Sequence, residues 1–197
     1  HRAFSVITAR DGIWAGTAGG INHSADDGLS WKKFTHQNSG ISGNFVTALG
    51  EQIYTESNIT YRNIWAAANQ ALDPNEISGL SYTSDSGATW HVALQGSFVN
   101  NIAFDGKTVY AATDSGMYRS GNLGGTWQRF TTLTDKNTGD KNFTTQFTTV
   151  GVQNPGHGDF ITVGRRQPVK KNHSRLPESD RADLAGLPKK LESREEN

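Results

Sequence analysis

Cysteine is absent from the 197-residue chain, which excludes a disulfide scaffold, a thiolate zinc site, an iron–sulfur cluster and a Cys nucleophile together. Excess charge of either sign is lacking as well. Nineteen Lys+Arg stand against nineteen Asp+Glu, so the chain as a whole has no field that would draw it to nucleic acid or an anionic membrane, and no nucleic-acid partner is expected. No apolar run approaches the roughly 18 residues of a spanning helix, and no signal-peptide pattern stands at the start. The six histidines include no i, i+4 pair, so neither a metal site nor a cofactor is expected. Gly16-Thr17-Ala18-Gly19-Gly20 lacks the Lys-Ser/Thr of a phosphate loop and reads as a turn.

What the chain has is glycine, 22 residues of it, with frequent Thr and Asn, a mixture suited to turns and strands. It also has an internal repeat. Three segments share the template [ST]-x-[DN]-x-G-x-[ST]-W: Ser24 to Trp31 with Asp26 and Gly28, Thr83 to Trp90 with Asp85 and Gly87, and Ser120 to Trp127 with Asn122 and Gly124. Upstream, Gly20-Ile21, Gly79-Leu80 and Gly116-Met117 each precede their Trp by eleven residues. Before these come Ile13-Trp14-Ala15-Gly16, Ile64-Trp65-Ala66-Ala67 and Val109-Tyr110-Ala111-Ala112, and further back the apolar stretches starting at Phe45 and Phe98. Each unit therefore reads as four short antiparallel strands, and their recurrence at 37 to 60 residues is the mark of propeller blades.

The template resembles the Asp-box, or bacterial neuraminidase repeat, of sialidases, sortilin-type receptors, xyloglucanase-type endoglucanases and photosystem assembly factors. The resemblance covers about residues 4–131 and implies an all-β fold of β-propeller blades, about three with a remnant of a fourth. The box residues themselves are expected to be structural. Asp26, Asp85 and Asn122 can accept backbone N–H bonds within their own turns, the three glycines supply positive φ, and the tryptophans fill space between sheets. A calcium loop would need more carboxylates and a closing Glu.

If the boxes are scaffold, function should sit where the repeats differ. Blade 2 carries 22 extra residues: eight in Gln70–Ser78, and fourteen around Glu51–Asn63, expected as extended edge structure, with a hairpin arm as the alternative. Gln70–Ser78 should open on the end opposite the boxes, which in the resembled enzymes carries the ligand, so Asp73, Asn75 and Glu76 are the contact candidates. No catalytic residue is assigned. The arginine cluster and Tyr–Glu pair that a sialidase resemblance requires are not matched, and neither are the two distant Asp residues of xyloglucanase-type enzymes. Asp11, Asp105 and Asp114 sit in inter-strand turns, where local bonding accounts for them.

The pattern then stops. Phe147–Gly151 and Asp159–Gly164 read as two strands of a fourth unit, a third should start at Val169, and no box follows. Residues 165–197 hold 15 charged residues in 33 and three of the five prolines, the composition of a disordered tail with short helicity near 180–191, or of a frame-shifted end. The expected division is thus residues 1–164 as a partial propeller carrying −3 and 165–197 as a tail carrying +3. Closed propellers need about four blades or more, so an open arc from a larger propeller, or self-association through open blade edges, is expected. The function expected is a non-catalytic module of an extracellular or cell-envelope protein that binds protein or glycan; the alternatives are a piece of a glycoside hydrolase and an assembly factor.

Overall fold

The computed structural model describes residues 2–135, 139, 141–143, 146–153, 160–165, 182–184 and 190–193. Three consecutive four-stranded antiparallel meanders make up its first two thirds. Blade 1 runs β1 (Ala3–Ala9), β2 (Gly12–Thr17), β3 (Gly20–Ser24) and β4 (Lys32–Phe34), followed by a one-turn helix, α1 (His36–Ser39). Blade 2 runs β5 (Phe45–Glu56), β6 (Ile59–Asn69), β7 (Gly79–Thr83) and β8 (His91–Gln95). Blade 3 runs β9 (Val99–Asp105), β10 (Thr108–Thr113), β11 (Gly116–Ser120) and β12 (Gln128–Phe130). The chain is an arc of β-propeller blades.

Burial along the second strand of each blade shows how the arc is stacked. In β2 buried and half-buried positions alternate, as in a sheet covered on one face, whereas Asn63–Asn69 of β6 and Val109–Thr113 of β10 are buried without a break. Blade 1 presents Trp14, Ile21 and Phe34 to Val46, Leu49, Ile64, Ala66 and Ala68 of blade 2. Blade 2 in turn presents Trp65, Leu80 and Leu94 to Ile102, Val109 and Ala111 of blade 3. Beyond blade 3, Tyr110, Met117 and Phe130 pack on Phe147 and Val150. Large rings set against small side chains such as Ala66, Ala68 and Ala111 let neighbouring sheets approach closely.

Among the described residues, none packs over the opposite face of blade 1 in this way. Val6, Leu49 and Ile102 hold one register position, each opposite the alanine of its second strand (Ala15, Ala66, Ala111). Leu49 and Ile102 are 8% and 9% exposed, but Val6 is 59% exposed. The box tryptophans repeat the contrast. Trp90 packs edge-on against Trp14 and Phe34 of blade 1, and Trp127 donates its indole N–H to the Ala93 carbonyl of blade 2 at 2.8 Å. Trp31 can only reach back to its own Gly28 carbonyl, and it is 47% exposed.

After blade 3 come β13 (Thr132–Asp135) and β14 (Lys141–Phe143), a hairpin the repeat did not anticipate. The two strands expected of a fourth unit are β15 (Phe147–Gln153) and β16 (Phe160–Arg165), antiparallel to one another. The third, expected at Val169, lies outside the described residues. Most of the expected tail does too. Its described parts are strands rather than helix: β17 (Ala182–Leu184) pairs with β13, and β18 (Lys190–Ser193) runs parallel to β16.

Candidate functional site

The three box turns are the same device built three times. The first residue's hydroxyl (Ser24, Thr83, Ser120) donates to the third residue's side chain and accepts the glycine N–H at 2.8–2.9 Å. The third residue (Asp26, Asp85, Asn122) also accepts the backbone N–H and the hydroxyl of the seventh, Ser30, Thr89 or Thr126. The chain reverses through two consecutive left-handed residues. Asp27, Ser86 and Leu123 have φ of 56°, 54° and 57°, and the glycines that follow have 91°, 80° and 84°. The side chains at Asp26, Asp85 and Asn122 thus bond within their own turns.

Such bonds favour the charged carboxylate. Asp26 is lowered from 3.8 to about 2 by the Ser30 hydroxyl, the Ser30 N–H and the Ser24 hydroxyl. At Asp85 burial pushes upward, but the Thr89 hydroxyl and N–H and the Thr83 hydroxyl outweigh it, and the carboxyl again falls to about 2. A carboxyl with a depressed folded-state pKa stabilises the fold above its unfolded value, and that contribution drains away as pH falls through the folded one. Urea midpoints should therefore fall between pH 5 and pH 2, and the Asp26→Asn/Asp85→Asn double variant, which copies the third box, should flatten that part of the profile.

At the end away from the boxes, the β6–β7 loop packs beside α1. Of its three candidates, Asn75 is exposed and Asp73 half-buried. The Asp73 carboxylate accepts the Asn75 N–H and side-chain amide and the Gln37 amide of α1, bonds that hold it below the usual carboxylate range, the Asn75 N–H foremost. Glu76 sits differently from a contact residue. It is 3% exposed, and its carboxylate accepts the backbone N–H groups of Asn44 and Ala71 and the Asn44 amide. Glu76 pins the loop to the blade 1–blade 2 connection, and the exposed polar surface falls to Asn75 and the rim of Asp73.

The other insertion corrects an expectation. Residues 51–63 are not an edge segment: β5 and β6 stay paired to Glu56↔Ile59, closing through Ser57 and Asn58 at φ 50° and 63°, a two-residue hairpin turn. The resulting arm projects past the blade at the box end. Tyr54 and Tyr61 stack on its face toward blade 3, with rings 5.0 Å apart, and Lys107 pairs with Glu56 there. Gln52, fully buried at the arm's root, donates to the Gly106 carbonyl and accepts the Trp65 indole N–H, both at 2.8 Å.

On the arm's other face, toward blade 1, lies a cavity of about 310 Å³ that the sequence did not disclose. Its floor is Ile64 and Thr83, and its walls come from Arg10 and Asp11 of the β1–β2 turn, Glu51 and Arg62 of the arm, and Ser84 and Ser86 of the second box. Among the described residues no three His, Asp or Glu side chains converge as a metal site would require. No described helix is long and apolar enough to cross a membrane.

No protein-family model matches the chain, and no curated protein matches it. Among solved structures it is similar to YCF48 from Cyanidioschyzon merolae, at 15% identity and a TM-score of 0.46. That match covers 97% of this chain and 58% of the other, so the chain spans a little over half that protein's length. It is also similar to the extracellular domain of the putative hybrid two component system BT4673 from B. thetaiotaomicron, at 13% identity and a TM-score of 0.34, covering 74% of this chain and 24% of that one.

Proposed function

We propose that the chain is a non-catalytic β-propeller module of an extracellular or cell-envelope protein, and that it binds protein or glycan. The observation that carries this reading is how the loop carboxylates are used. Asp26 and Asp85 bond inside their boxes, Asp73 and Glu76 inside the β6–β7 loop, Asp11 accepts the Trp14 indole N–H, and Glu51 pairs with Arg62. A glycosidase needs two carboxyl groups facing each other across a sugar, about 5–9.5 Å apart, one of them free to deliver a proton. These six carboxylates already have partners within the described structure. Asp73 and Asn75 form the contact point at the end away from the boxes, with Glu76 holding their loop, and the uncovered face of blade 1 supports self-association as a second mode.

Sialosides and xyloglucan incubated with the full chain should show no turnover, while a glycan or protein ligand should lose at least about tenfold in affinity to the Asp73→Ala/Asn75→Ala pair. Turnover that disappears in Asp73→Ala or Glu76→Ala would overturn the non-catalytic reading in favour of a glycoside hydrolase.

A further inference from the structure

We infer that Asn58, at the tip of the blade 2 arm, is an acceptor for an N-linked oligosaccharide. The inference rests on the extracellular or cell-envelope placement proposed above, since such sugars are attached during export, and not on what the module binds.

The sequence carries the acceptor pattern Asn-x-Ser/Thr, with x other than Pro, at Asn22, Asn58, Asn142 and Asn172. The pattern is short and recurs by chance, so the fold has to select among its copies. Those at Asn142 and Asn172 run outside the described residues. Asn22 and Asn58 can be compared directly. Asn22 lies inside β3, half-buried and opposite Ala15 and Lys33 of the neighbouring strands, and the hydroxyl two residues on belongs to Ser24, the first residue of a box. Ser24 is 1% exposed, and its hydroxyl is bonded to the Asp26 carboxylate and the Gly28 N–H. Those bonds are local, so the turn withdraws that hydroxyl without help from the rest of the fold.

Asn58 has the opposite setting. It is the second residue of the hairpin turn, at φ 63°, and it is exposed together with Ser57, Ile59 and Thr60. Its side-chain amide has no partner among the described residues. The Thr60 hydroxyl meets only the Thr55 hydroxyl across the arm, at 3.3 Å. Amide and hydroxyl, the two groups a transferase must reach, are therefore both accessible on an arm that projects past its blade. In the transfer, Asn58 Nδ2 forms a bond to the anomeric carbon of an oligosaccharide carried on a lipid diphosphate. The bond from that carbon to the diphosphate oxygen breaks, the lipid diphosphate leaves with the electron pair, and the amide nitrogen gives up one proton.

The arm supplies an independent reason for a sugar there. Residues 53–62 form a ribbon of two strands that no third strand joins among the described residues, since β6 meets β7 only from Ile64 onward. Ile53, Ile59 and Tyr61 are all exposed on it. Unpaired strand edges beside apolar side chains template association with other chains. A bulky, solubilising group at the turn keeps other chains off both edges.

The test is secretion of the full chain from eukaryotic cells behind a cleavable export signal, with peptide N-glycosidase release in heavy-oxygen water marking each occupied asparagine for mass spectrometry. The expected result is sugar at Asn58 in most of the secreted chain and none at Asn22. Thr60→Ala should abolish the Asn58 sugar and Thr60→Ser should retain it, with both variants secreted like the parent because Thr60 is exposed. A bare Asn58 in the secreted parent, sugar that survives Thr60→Ala, or sugar at Asn22 at the level of Asn58 or above overturns the site. Because the export signal is supplied, a bare Asn58 counts against the acceptor and not against the proposed location, and loss of the proposed ligand binding leaves the acceptor standing.

Discussion

Replacing Trp90 with alanine should cost the fold about 3–5 kcal/mol, the usual range for deleting a packed aromatic side chain, whereas the same change at Trp31 should cost about 1 kcal/mol. The two residues occupy the same place in the repeat, so local propensity and turn chemistry are matched, and the difference isolates packing between blades. Trp90 lies against Trp14 and Phe34 with ring centroids 6.1 and 5.6 Å away. Its indole N–H is buried without an acceptor, so the contribution it makes is apolar packing, reduced by one unsatisfied donor. Trp31 has only its own turn to cover. Urea unfolding of both variants measures the contrast, and near-equal costs would mean that the blades do not stack as described.

The box glycines give a second set of matched sites. All three have positive φ, so alanine at any of them carries a left-handed backbone penalty of about 1–2 kcal/mol. They differ in what a new methyl group would meet. At Gly87 it would stand 2.4 Å from Phe34 Cζ, and at Gly124 2.7 Å from the Ala93 methyl, each a contact with the preceding blade. At Gly28 the nearest neighbour is Trp31, at 3.7 Å, which is ordinary contact. Overpacking adds about 1–3 kcal/mol where the neighbour cannot yield. Thermal or urea unfolding should therefore rank Gly87→Ala as the most damaging, at about 2–5 kcal/mol in all, Gly124→Ala next and Gly28→Ala mildest. A ranking with Gly28→Ala at the top would contradict the stacking order.

Much of this architecture was legible because the box is local. Its hydrogen bonds span two to four residues, so Ser24, Asp26, Gly28 and Ser30 specify their turn whatever surrounds them, and the same spacing at Thr83 and Ser120 locates the strands on either side. The arm was harder to read. Its signal is a pair of alternating segments around Ser57-Asn58, and Asn58 accepts a left-handed φ, but the pair lacks the glycine that makes a hairpin turn unmistakable.

The role of Glu76 was not legible at all. Its burial depends on Asn44, 32 residues earlier, and nothing near Glu76 in sequence reveals that it faces inward. The cavity is a product of register for the same reason. Arg10 comes from the β1–β2 turn of blade 1, Arg62 and Ser84 from the arm and the box of blade 2, and the cavity closes only after those blades have stacked. The uncovered face of blade 1 has a similar origin, since Val6 and Leu49 are chemically alike and differ only in what lies over them.

The stacking of the blades is tested most directly by tryptophan oxidation kinetics of the native chain in dilute solution, read residue by residue by mass spectrometry. The structure orders the five indoles: Trp31 fastest, Trp90 and Trp127 slower, Trp14 and Trp65, both fully buried, slowest. Oxidation of Trp90 or Trp127 as fast as Trp31 would show that blades 2 and 3 do not lean on the blades before them, and would contradict the propeller arc.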